Sequence, residues 1–257
     1  MNHRLVQRRL FRMQLDPGFA ARLRAGEASA IAGLGEREQR VLAGADAVAI
    51  AADRDGRRRA QFLQNVTGEF ALACAAGISA DAFPSSPELH AAVESNASLP
   101  LAFAAYAERC CPGNAAARAL VALECALARA RRAPTPSLPT GQLALAPGAV
   151  LRDCSAGTLD LAERVTAALQ RGVSVPKLRV DVRGRETLMI RSEPARTPFG
   201  LRSVAAERAT AELTRLLEAL AQPCDLAELA RRLGEPEAEL AEVVDGLVSD
   251  GIAVRGA

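Results

Sequence analysis

Four prolines between Ala133 and Gly148 separate two parts of the chain with different hydrophobic patterns. Proline removes a backbone hydrogen-bond donor and breaks helices, so the helical periodicity that precedes this stretch ends there. We therefore predict a helical bundle in residues 1–132, a proline-rich linker in residues 133–148 and a second domain in residues 149–257. The predicted fold class is mainly α, with a small α+β module after the linker.

The pattern of apolar residues in residues 1–132 predicts six or seven helices. Asp16-Pro17 and Ser86-Pro87 are typical helix starts, because the polar side chain caps the first turn and proline fits its first position. The scarcity of aromatic residues (3%) against abundant Ala and Leu is typical of helices that pack closely through small side chains. An all-β fold is therefore not expected.

A triplet of arginines, Arg57, Arg58 and Arg59, follows Asp55-Gly56, where we predict that a helix begins. Three cations in a first turn oppose the helix dipole, which is locally unfavourable. The triplet is therefore a candidate contact for a carboxylate on a partner protein, against the alternative of an ordinary solvated surface.

The second domain, with its core in residues 177–257, predicts strands followed by three helices. Leu178, Val180 and Val182 alternate with charged residues up to Gly184-Arg185, which predicts a hairpin turn. Residues 199–204 predict a third extended segment. The helices are expected at residues 205–221, after a cap at Asp225, and after Gly234.

The last of these helices is acidic. It contains Glu237, Glu239, Glu242 and Asp245, and no Lys or Arg occurs before Arg255. The order of elements is that of a small winged helix-turn-helix, in which this helix normally enters DNA. Affinity for DNA comes largely from Lys and Arg that neutralise phosphates, so a peptide is the favoured ligand here.

The sequences of the three predicted helices are residues 213–220, 225–233 and 240–248. Together with the predicted strands before them, these helices resemble the PqqD-like RiPP recognition element. The whole chain, with the stretch Leu99–Tyr106, resembles the accessory partners of multinuclear non-heme iron-dependent oxidases of the methanobactin and thiaglutamate type. The resemblance implies a non-catalytic subunit of a heterodimer that binds the leader of a ribosomally made precursor peptide. The helical bundle would dock on the oxidase, which supplies the iron, and this chain would hold no cofactor.

An extended leader can add as a further strand to an exposed sheet edge and place side chains against the last helix. The resemblance thus implies two sets of peptide-binding residues: Phe199, Leu201, Arg202 and Val204 on the edge, and Glu239, Leu240, Glu242, Val243 and Leu247 on the helix. Glu239 and Glu242 would select basic leader residues. The alternative is that the apolar members fill the domain core and that the carboxylates are solvated surface.

Composition and motifs limit the other classes of function. The net charge of +2 argues against a general binder of nucleic acid or anionic membranes. No apolar run is long enough for a membrane span and no secretory signal is present, so we expect a cytoplasmic protein. The six cysteines and two histidines show no paired spacing, so no metal site is expected.

Two other functions remain open from the sequence. A winged-helix transcriptional regulator would use Arg231 and Arg232 to contact phosphate. An enzyme in its own right would need a nucleotide-binding glycine motif or a nucleophile beside a histidine, and neither occurs.

Overall fold

A computed structural model describes most of the chain, and for residues 52–59 it describes the helical backbone alone. The described residues are 2–45, 52–111, 113–134, 137–175, 177–192 and 203–256. They form two compact units, Met1–Cys110 and Cys111–Ala257. The chain is mostly helical with small antiparallel sheets, as the sequence predicts.

The described part of the N-terminal unit is helical. Its helices are α1 (His3–Leu15), α2 (Pro17–Arg24), α3 (Ala28–Ile31), α4 (Glu36–Gly44), α5 (Ala52–Glu69), α6 (Ala71–Ala75), α7 (Pro87–Ser95) and α8 (Leu99–Cys110), with a 3₁₀ turn at Ala80–Ser85. Two predicted starts are confirmed. The Asp16 carboxylate accepts from Phe19 N at the start of α2, and Ser86 Oγ accepts from Leu89 N at the start of α7.

The predicted start of α5 is wrong, because the helix begins at Ala52 and runs through Gly56. A glycine inside a helix costs only about 1 kcal/mol, which packing of the remaining turns offsets. Arg57, Arg58 and Arg59 therefore lie beyond the first turn, and the dipole argument for them no longer holds. Their side chains are outside the described part of the structure.

The C-terminal unit begins before the proline-rich segment. Its elements are α9 (Ala115–Arg131), β1 (Leu143–Leu145), β2 (Val150–Ala156), α10 (Thr158–Gln170), β3 (Asp181–Ser192), β4 (Val204–Arg208), α11 (Ala211–Ala219), α12 (Leu226–Leu233), α13 (Glu237–Ser249) and β5 (Ala253–Arg255). Helix α9 contacts β2, β3, β4 and α10, which explains why it belongs to this unit and not to the helices before it.

The described residues of the C-terminal unit form two antiparallel sheets. The larger has the order β2-β3-β4, and the smaller pairs β1 with β5. Met189 on β3 joins a core cluster with side chains of α11, α12 and α13, including Leu217, Leu229 and Val244. Since successive strand residues face opposite sides, Leu188 and Ile190 face the other way, toward the side covered by α9 and α10. Helices thus cover both faces of the sheet.

Residues 133–148 are more than a linker. Leu143, Ala144 and Ala146 are buried, and β1 pairs with β5 in the register Leu143↔Arg255. Prolines end the preceding helix as predicted, but the apolar residues after Gly141 form part of the core of the C-terminal unit.

The predicted hairpin at Gly184-Arg185 is also wrong, because β3 is one continuous strand. A Cβ at Gly184 would lie 2.8 Å from Ala156 Cβ, so glycine permits a close approach of β2 and β3 at an irregularity after Ser155. The third extended segment extends past Val204 to Arg208, where a helix was expected. Pairing with β3 overrides the helical preference of Ala205 and Ala206.

The three final helices are confirmed in place and order, although the first starts late, at Ala211. Asp225 caps α12 by accepting from Glu228 N at 2.8 Å, and Gly234 ends it in the left-handed conformation. Within the described residues, no helix has both the length and the apolar character needed to cross a membrane.

Candidate functional site

Strand β4 forms one edge of the three-stranded sheet. Beyond the strand, Ala209 N donates to Thr187 O at 2.9 Å, so this pair directs its backbone groups toward each other. In an antiparallel ladder such pairs alternate with pairs whose groups point away. The backbone N–H and C=O groups of Val204, Ala206 and Arg208 therefore point outward from β3. No strand of the described residues pairs with this side of β4.

Ion pairs hold both faces of β4. Arg208 donates from Nη2 to Asp160 Oδ1 of α10 at 2.6 Å and from Nε to Glu186 Oε2 at 3.1 Å. These bonds raise the pKa of Arg208. On the opposite face Arg191 Nε lies 3.3 Å from Glu207 Oε1. Side chains thus fix the strand to β3 and α10, and among the described residues no backbone hydrogen bond uses the outward groups of Val204, Ala206 and Arg208.

A groove of about 370 Å³ opens at the start of α11, directly after β4 in the chain. Its lining is partly apolar and partly acidic: Ala211, Glu212, Arg215, Leu216, Leu233, Glu235 and Leu240. Arg215 Nη2 donates to Leu233 O at 2.6 Å, so the one cation among the described lining residues is engaged in holding α11 to α12. Hydrogen bonds from its own backbone N–H and from Thr210 lower the pKa of Glu212, which is therefore ionised at neutral pH.

The residues predicted on α13 separate into two groups. Leu240 and Leu247 are buried in the core cluster, although Leu240 also lines the groove. Val243 is 48% exposed, and Glu239 and Glu242 are exposed. The outward face of α13 is therefore acidic and includes one exposed valine. Leu247 packs in the core and is not available to a ligand on that face.

The residues predicted on the sheet edge are only partly described. Val204 is half-buried at the start of β4, whereas Phe199, Leu201 and Arg202 lie outside the described residues. Sequence reasoning missed Ala206 and Arg208, because it assigned residues 205–221 to a helix. Thr210, which caps α11 by accepting from Leu213 N, is the signal that would have placed the helix start later.

The two arginines before α13 are engaged in internal contacts. Arg231 and Arg232 both donate to the Glu228 carboxylate, at 2.7 Å and 2.9 Å, and these bonds lower the pKa of Glu228. Arg232 also donates to Ala219 O at 2.8 Å at the end of α11. The Glu228 carboxylate therefore offsets part of the positive charge of both arginines.

No group of three or more His, Cys, Asp or Glu side chains in the described residues is arranged to hold a metal ion. Cys154 and Cys224 are buried, and burial raises the pKa of both thiols, which makes them poor nucleophiles. No protein-family model matches the chain, and no curated protein matches it.

Proposed function

We propose that this chain is a non-catalytic accessory subunit that binds the leader of a ribosomally made precursor peptide and presents it to a modifying enzyme. The observation that carries the proposal is the outward edge of β4, followed in the chain by α11, at whose start an apolar groove with an acidic rim opens. Strands β3 and β4 followed by α11, α12 and α13 add to the resemblance to a PqqD-like RiPP recognition element, although α10 separates β2 from β3 in the chain and the expected third consecutive strand is therefore missing from the described order.

The mechanism is addition of a strand. An extended leader would pair with the outward N–H and C=O groups of Val204, Ala206 and Arg208, which supplies affinity independent of the leader sequence. An apolar leader side chain would enter the groove against Leu216, Leu233 and Leu240. Glu212 and Glu235 of the lining, with the exposed Glu239 next to Leu240 on α13, would favour a leader with Lys or Arg beside that anchor.

The resemblance extends the proposal to the partner. The modifying enzyme would be a multinuclear non-heme iron oxidase that forms a heterodimer with this chain and contributes all of the iron. The N-terminal helices would contact that enzyme in the cytoplasm.

A winged-helix transcriptional regulator is the alternative function. The acidic surface of α13 and the negative charge of Glu228 beside Arg231 and Arg232 both disfavour contact with a polyanion. An anisotropy titration with mixed-sequence duplex DNA at low salt tests this alternative. Tight, salt-sensitive binding would favour the regulator.

The proposal is tested by titrating the full chain with a labelled, extended synthetic peptide that stands in for the leader and carries a leucine flanked by Lys or Arg. Ala206→Pro removes an outward N–H without removing a bond to β3, because proline is tolerated at a strand edge. We expect this variant to raise the dissociation constant for the leader roughly tenfold. This corresponds to the loss of about one hydrogen bond between uncharged groups.

The matched control is Asp153→Pro on β2, the opposite edge of the same sheet. The register places Arg152 and Cys154 in pairs directed at β3, so the N–H of Asp153 points outward. Leader binding should survive this change. Loss of binding in Asp153→Pro with full binding in Ala206→Pro would move the site to the other edge, and unchanged binding in both would reject strand addition.

A further inference from the structure

A second groove, of about 640 Å³, lies in the N-terminal unit between α1 and the end of α7. One wall is a single face of α1. The opposite side comes from the end of α7 and the start of α8. The lining residues are Arg4, Gln7, Arg8, Phe11, Ala92, Val93, Asn96, Ala97 and Leu99.

The charge of the described lining is entirely positive, since these residues include two arginines and no carboxylate. Arg4 and Arg8 are one turn apart on α1, where like charges repel. Within the described residues no ion pair or hydrogen bond engages either side chain. Their neighbours Arg9 and Arg12 differ, because both face inward and pair with Glu94.

An apolar surface accompanies the charge. Phe11 is 38% exposed, which is unusual for phenylalanine in a protein whose other described aromatic side chains are mostly buried. Ala92 and Val93 form an apolar floor across from it. From Arg4 to Phe11 the wall extends about 10 Å along α1, because each helical residue rises about 1.5 Å.

The shape decides the kind of ligand. A groove that follows two turns of a helix, with an apolar floor and cations along one rim, matches a polypeptide segment better than a compact anion. Such a segment would place an apolar side chain beside Phe11 and Val93. Its carboxylates would reach the guanidinium groups of Arg4 and Arg8.

We propose that the groove between α1 and α7 is a docking site for an acidic, amphipathic segment of a partner protein. The proposal is independent of leader binding, which concerns the other unit and a ligand of opposite charge. It also places the partner contact of the N-terminal unit at Arg4, Arg8 and Phe11 instead of at the arginine triplet of α5.

The test uses the full chain and a fluorescein-labelled amphipathic peptide of about 15 residues, long enough to form a helix, with Leu on one face and Glu on the other. We expect saturable binding that weakens with added salt. The double variant Arg4→Glu with Arg8→Glu should weaken binding at least about tenfold, and Phe11→Ala should weaken it without a change of charge.

The control is the double variant Arg37→Glu with Arg40→Glu, which makes the same change of net charge on exposed positions of α4 outside the groove. It should leave affinity within about twofold, because exposed charges at a distance are screened. A peptide with Lys in place of Glu should bind the Arg4→Glu, Arg8→Glu chain better than the unaltered chain.

Two outcomes would overturn the proposal. One is equal loss in both double variants, which would mean attraction by overall charge alone. The other is the absence of saturable binding at peptide concentrations up to about 1 mM, where even a weak specific site is occupied. Circular dichroism of each variant confirms that the fold is retained.

Discussion

The two units of this chain stabilise their folds by different means. Every aromatic residue except Phe199 lies in the N-terminal unit, where Phe70, Phe83, Phe103 and Tyr106 pack ring against ring. The described core of the C-terminal unit consists of aliphatic and sulfur-containing side chains. Aliphatic side chains have few preferred packing geometries, so they do not by themselves fix how the elements are oriented. Strand register and helix caps must therefore fix the arrangement of the C-terminal unit.

Buried polar groups show the same difference. In the N-terminal unit Arg12 Nη2 donates to His90 Nδ1 at 2.7 Å, and His90 Nε2 donates to Asp16 Oδ2 at 3.1 Å. The Arg12 guanidinium also stacks on Phe19, 3.9 Å from its ring centroid. In the C-terminal unit the described ion pairs are largely exposed, as at Arg255 and Asp245. The comparison indicates that a polar network fixes the first unit and backbone pairing fixes the second.

The largest effect is expected for Phe103→Ala, at the centre of the aromatic cluster. Phe103 is fully buried and its ring centroid lies 4.9 Å from that of Phe70 and 5.0 Å from that of Phe83. Removing the ring should lower the free energy of unfolding of the N-terminal unit by about 3–5 kcal/mol. Tyr106 is the only tyrosine and no tryptophan is present, so its fluorescence in urea reports this unit alone.

Leu229→Ala is the matched change in the aliphatic core. Leu229 is fully buried on α12, and the truncation should cost the C-terminal unit about 2–5 kcal/mol. The Tyr106 transition should stay in place while the ellipticity transition of the C-terminal helices moves to lower urea. A shift of the Tyr106 transition in this variant would show that the two units unfold together.

A smaller difference is expected between two helix caps of the same residue type. Asp16 is buried and binds both Phe19 N and His90, whereas Asp225 is exposed and accepts from Glu228 N. Asp16→Ala should cost about 2–4 kcal/mol, because it also leaves buried donors unpaired. Asp225→Ala should cost about 1 kcal/mol. Equal costs in denaturant unfolding would contradict the importance of the buried network.

The smallest effect concerns pH. Burial first, and then the charge of Arg12, lower the pKa of His90, although Asp16 opposes both. Below about pH 6.5 His90 takes up a proton more readily in the unfolded chain than in the folded chain. The free energy of unfolding therefore decreases as the pH is lowered. The Tyr106 transition should therefore move to lower urea between about pH 7 and about pH 5. His90→Asn should reduce the dependence of the transition midpoint on pH. If the dependence is the same in this variant, other titrating groups cause it.

Local signals in the sequence predicted the helices well. Asp16-Pro17, Ser86-Pro87, Asp225 and Gly234 act through atoms within a few residues, so their effect does not depend on the rest of the fold. The cap geometry is therefore available from the sequence alone.

The strands were predicted less well because their partners are distant in the chain. Gly184 was predicted to be a turn residue. In the structure its missing side chain allows β3 to lie close to Ala156 on β2. Leu143–Leu145 looked like part of a linker, but they pair with residues about a hundred positions later. The edge residues Ala206 and Arg208 were missed for the same reason, since pairing with β3 is a tertiary effect.

The most direct test of the account is amide hydrogen exchange of the full chain, followed by NMR with and without saturating leader peptide. The amides of Val204, Ala206 and Arg208 point away from β3 and should become protected when a leader strand is added. Those of Ala205 and Glu207 already pair with β3 and should change little. Unchanged exchange at Val204, Ala206 and Arg208 with leader bound would contradict the proposed strand addition.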